Sequence, residues 1–84
     1  MRGDFVIVRA FGNIPLIRRL WDEDDYGIYI TNDVQLQLLI DGKEALQPIG
    51  FPREDVFQYD PELASSMDRL IKSGKWDWNK LVSF

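Results

Sequence analysis

Histidine and cysteine are both absent from the chain, and this pair of absences constrains it more than any motif it carries. Without thiols no disulfide can staple a small fold, and without thiolate or imidazole the usual zinc sites cannot form. A chain of 84 residues must therefore hold together by packing alone. The same absences remove the side chains most enzymes use to move protons or attack carbonyls near neutral pH, so the expectation is a protein that is not an enzyme and carries no cofactor. Material for a core is present: 45% of the residues are hydrophobic, and five Phe, three Trp and three Tyr supply large apolar area. That balance is the one expected of a single compact domain over residues 1–84.

The formal net charge is −4, which opposes a whole-surface attraction to nucleic acid or anionic lipid. The charge is uneven. Residues 1–60 hold eleven acids and six bases, whereas residues 61–84 hold three acids and four bases. No apolar run approaches the roughly 20 residues of a membrane span, and Asp4 interrupts any signal-peptide pattern, so no membrane partner and a cytoplasmic location are expected.

The first apolar run, Phe5 to Phe11, is rich in β-branched and aromatic residues and meets Gly12-Asn13, a hairpin signal. A second strand is expected over Ile14–Trp21, with Pro15 near its start and Arg18 and Arg19 lying along a half-wet face. The four adjacent acids Asp22–Asp25 read as an exposed loop, because buried unpaired carboxylates cost several kcal/mol, roughly, each. A third strand follows at Tyr26–Thr31. Beyond Asn32-Asp33, Val34, Leu36, Leu38 and Ile40 alternate with polar Gln35 and Gln37, the pattern of a fourth strand. Lys43–Pro48 reads as a loop, and Pro48–Phe57 as a tight turn delivering a short last strand.

The period then changes. Asp60-Pro61-Glu62 has the makings of a helix start, Leu63, Met67, Leu70 and Ile71 form one apolar stripe, and Gly74 is placed to end it, which predicts a helix over 61–74. The last ten residues, with Trp76, Trp78, Leu81, Val82 and Phe84, are too apolar for a loose tail.

The turn Gly50-Phe51-Pro52-Arg53-Glu54-Asp55-Val56 resembles the turn that SH3-like barrels place before their last strand, with Asp55 where that pattern has tyrosine. The resemblance implies an SH3-like small barrel, which the tight spacing of about five short strands over residues 1–60 also suggests; the expected architecture is mainly β with one C-terminal helix, the helix and aromatic tail over 61–84 packing on the barrel. The peptide-contacting motifs of SH3 domains are absent, so only the fold carries over. Gly3-Asp4-Phe5-Val6-Ile7-Val8 with Leu16-Ile17-Arg18-Arg19-Leu20 is also similar to the sheet of self-cleaving repressors and signal peptidases. Arginines stand where that family has its catalytic lysine, which implies at most an inactive relative.

Three candidate sites follow. Trp76, Trp78 and Phe84 either cap the barrel or exceed what one small core absorbs, leaving an interaction surface for a protein partner or a second copy. Arg9, Arg18, Arg19 and Arg53 can form a basic stripe for nucleic acid, as in Tudor-like and KOW-like barrels, or pair with acids across strands. Asp22, Asp24, Gly27 and Asp33 imitate part of a calcium loop, although Tyr26 and Asp33 depart from it. The leading expectation is a non-catalytic protein-interaction module.

Overall fold

The computed structural model describes residues 1–84. It is mainly β: strands β1 (Phe5–Ala10), β2 (Ile14–Asp24), β3 (Gly27–Thr31), β4 (Ile49–Phe51) and β5 (Val56–Gln58) form one sheet in the order β4-β3-β2-β1-β5. Every pairing is antiparallel. The β1–β2 hairpin turns at the expected Gly12-Asn13, whose φ angles of 79° and 61° suit glycine and asparagine.

The continuous apolar run in β1 has a direct cause. Val6 and Val8 face one side of the sheet and Ile7 the other, and both sides are covered, so all three are buried. On the first side, Val6, Val8, Leu20, Ile28, Ile30 and Val56 make one cluster, with Phe51 and Phe84 packed against it. On the second, Ile7 and Phe57 pack with Met67 and Leu81, joined by Ile17, Leu63, Trp76 and Trp78.

The edge strands β4 and β5 are consecutive in the chain, separated only by Pro52 and a 3₁₀ turn at Arg53–Asp55. A flat five-stranded sheet would hold its edges about 19 Å apart at 4.8 Å per strand. The few linking residues, three of them compressed into a 3₁₀ turn, reach only about 13 Å. The sheet therefore curls, and the cluster around Val8 lies on its inner side.

Three expectations are corrected. The alternating segment is not a strand: it forms helix α1 (Asp33–Ile40), inside the stretch expected to be all β. Gln35 to Leu39 contains only good helix formers and no β-branched residue. Asn32 caps the start by accepting from the Gln35 N–H at 2.9 Å, and Gly42, at φ 70°, ends it as the Lys43 N–H reaches the Leu38 carbonyl. In the helix the alternating residues point different ways: Leu36 is buried while Val34 and Ile40 are exposed. Of the four acids expected to form an exposed loop, Asp22, Glu23 and Asp24 instead extend β2 and pair with Tyr29, Ile28 and Gly27, with a bulge at Trp21, while Asp25 does lie in the turn and all four are exposed.

Helical structure is thus spread over several short pieces rather than one C-terminal helix. The expected 61–74 helix is itself broken at Ser66 into α2 (Pro61–Ser65) and α3 (Met67–Lys72). Its ends are as expected. Asp60 accepts from the Glu62 and Leu63 N–H groups, and Gly74 lets the Lys75 N–H reach the Leu70 carbonyl. No helix is long and apolar enough to cross a membrane.

Candidate functional site

The tail aromatics are divided between the two faces of the sheet. Trp76 and Trp78 are half-buried in the cluster with Phe57 and Met67, their rings meeting edge to face at 5.4 Å, and Trp78 lies 5.0 Å from Phe57. Phe84 is half-buried against the other cluster. Between them the tail runs beside β5: the Gln58 N–H donates to the Val82 carbonyl and the Phe84 N–H to the Val56 carbonyl. The tail thus covers an edge that would otherwise offer bare backbone groups to another chain. The Trp76 indole N–H is buried without an acceptor.

The four arginines do not converge into a stripe. Arg9 donates to Asp55 at 2.9 Å and lies 5.3 Å from the ring centres of both Phe57 and Trp78. Arg19 donates to Asp33 at 2.7 Å and stands over Phe5 at 3.8 Å, while Arg53 donates to Glu23 at 2.9 Å. Only Arg18 lacks an acid: its guanidinium donates to the Ile17 carbonyl at 2.8 Å. That bond satisfies an acceptor on the stretch of β2 that β3 leaves unpaired, where Pro15 has no N–H to offer. Adjacent residues of a strand face opposite sides, which sends Arg18 and Arg19 apart.

The calcium-like residues are also separated in function. Asp24 accepts from the Tyr26 N–H at 2.8 Å, the Gly27 N–H at 3.1 Å and the Tyr29 hydroxyl at 2.9 Å, while Asp33 serves Arg19. No group of three or more carboxylates is gathered in a way that would hold a metal ion.

A different constellation emerges at the β2–β3 end. Trp21, displaced by the bulge, and Tyr29 line an open cavity of about 330 Å³ with Asp22, Asp24, Gln47 and Pro48. Two glycines bring the walls together. A Cβ on Gly27 would fall 2.5 Å from the Phe51 carbonyl oxygen, and one on Gly50 would fall 3.2 Å from the Tyr29 ring. Beside this cavity Arg2 places its guanidinium 4.0 Å from the centre of a Trp21 ring, donates from Nε to the Trp21 carbonyl at 2.8 Å, and comes within 3.9 Å of Asp22. The hydrogen bonds to Asp24, the Tyr26 N–H foremost, hold its carboxyl below the usual 3.8. The same contact with Asp24 pushes the Tyr29 hydroxyl above its usual 10.0.

Reading the acids as an exposed loop does not join them to Trp21. The available signal was the tryptophan immediately before the acidic run, which a strand reading of the acids would have put beside Tyr29. Comparison of the chain with family models, curated proteins and solved structures finds no match in any of the three.

Proposed function

We propose that the chain is an SH3-like small barrel that works in the cytoplasm as a non-catalytic protein-interaction module, with the acid-rich β2–β3 end as its contact surface. The barrel reading is supported by the curl that the short β4–β5 joint imposes and by the 3₁₀ turn interrupting those two strands. The observation that carries the interaction reading is the pairing of exposed acids with aromatic cavity walls at Trp21 and Tyr29, at one end of the sheet. The non-catalytic reading rests on the missing histidine and cysteine. A nucleic-acid surface is disfavoured because Arg9, Arg19 and Arg53 each face a carboxylate.

The test is affinity capture with the native chain and with a Glu23→Lys, Asp25→Lys double variant, after nuclease treatment. The expected result is a discrete protein partner that the native chain retains and the variant loses. An unchanged set of captured proteins overturns the assigned surface. Salt-sensitive binding of an oligonucleotide near about 50 mM salt would replace the reading with the nucleic-acid one.

A further inference from the structure

We infer that the cavity lined by Trp21, Tyr29, Asp22, Asp24 and Pro48 receives an arginine side chain from a basic segment of the partner. The inference rests on the interaction-module reading and names the chemistry of its contact.

The molecule itself shows what this indole accepts. Arg2 puts a guanidinium over Trp21 and beside Asp22, in a cavity of about 290 Å³ lined also by Met1, Leu20 and Glu23. Trp21 and Asp22 also line the neighbouring cavity, where no cationic side chain is among the lining residues. A cation there meets π-electron density from Trp21 and Tyr29 and negative potential from the carboxylates. The charge balance favours it: Asp22–Asp25 contribute four acids, and the two bases that reach them are Arg2 and Arg53. Asp25 has no ion-pair partner, and the Asp22 carboxylate meets Arg2 only at 3.9 Å. Asp24 stays ionised because three donors already stabilise its charge.

Arginine suits the place better than lysine. A planar guanidinium stacks on an indole, is weakly hydrated and can direct several N–H groups to carboxylates, whereas an ammonium holds its water tightly. Pro48 lines the cavity together with the two rings, giving an apolar surface for the aliphatic stem, and a volume of about 330 Å³ is at the small end of ligand pockets. Phosphates and carboxylates are repelled by the same acids.

The experiment is an amide and indole NMR titration of the full chain with acetyl-Gly-Arg-Gly-amide and with its citrulline counterpart, which keeps the shape and removes the charge. Saturable shifts centred on the Trp21 indole and the Gly27 and Tyr29 amides are expected with arginine, about fivefold weaker or absent with citrulline. Asp22→Asn, at an exposed position, is expected to weaken the arginine response by about two- to fivefold without changing the dispersion of the spectrum. Equal response to the two peptides, shifts centred on Trp76 and Trp78, or no shift near about 20 mM peptide overturns the assignment. If the charge-reversed variant still loses its partner, such a failure removes only the arginine cavity. If capture is also unchanged, the interaction surface falls with it.

Discussion

Two regions of this small protein use the same ingredients, an arginine over a tryptophan with an acid nearby, and differ in what surrounds them. At the tail, Arg9 spans Phe57 and Trp78 and pairs with Asp55, with both charged side chains about two-thirds covered. At the β2–β3 end, Arg2 lies on Trp21 near Asp22, with 54% and 63% of those charged side chains exposed. The first arrangement is braced by Met67, Leu81 and Ile7 behind the rings. Behind the second is an open cavity. Aromatic residues backed by other side chains act as core, and those backed by solvent are available to a ligand.

The sharpest way to break this contrast is truncation at the tail. Phe57→Ala and Trp78→Ala should each cost about 3–5 kcal/mol in urea unfolding, because each leaves a void between the sheet and the tail. A change below about 1 kcal/mol for Trp78 would move that residue from core to contact surface. Gly27→Ala should cost about 1–3 kcal/mol by the same measurement, since its methyl group would fall 2.5 Å from a backbone oxygen of β4. Arg9→Met should cost about 1 kcal/mol, the ion pair being lost while the stem still packs, and the loss should shrink in high salt. Trp21→Phe should cost about 0.5–1 kcal/mol, because a half-buried indole gives way to a smaller ring, while changing whatever binding the cavity supports.

The smallest effect is on pH dependence, through Asp24 and Tyr29 in the open region. Asp24 has its pKa lowered in the fold, chiefly by the Tyr26 N–H, so its contribution is complete above about 3.8 and is lost as pH falls through the lowered value. Tyr29 is shifted upward, first by its bond to Asp24, so its contribution is complete below 10.0 and is lost as pH rises through the raised value. Following the Tyr26 and Gly27 amides at the acid end and tyrosinate absorbance at the alkaline end checks both.

Much of the local structure was legible from adjacent residues. Gly12-Asn13, Asp60-Pro61-Glu62 and Gly74 act through their own backbone geometry and nearest donors, so their roles could be read without neighbours from elsewhere in the chain. The apolar Phe5–Phe11 run announced a strand, while the covering of Val6, Ile7 and Val8 on both faces came from segments elsewhere in the chain. The candidate site was far less visible. Its parts come from β2, β3 and the loop before β4, and they meet only because Gly27 and Gly50 allow close strand packing.

Residues 34–40 mark the boundary between the two kinds of information. Their alternation fits a strand by period and a helix by propensity, and capping by Asn32 and Gly42 together with a place for Leu36 against the fold favours the helix. The acids of β2 make the same point from the other side, because strand pairing there keeps the carboxylates in water while satisfying the backbone. What the sequence determined alone was the reliance on packing, the sign of the charge and the turns and caps. The tertiary structure decided which apolar residues had a partner surface to meet, because burial depends on what distant segments bring to the same place.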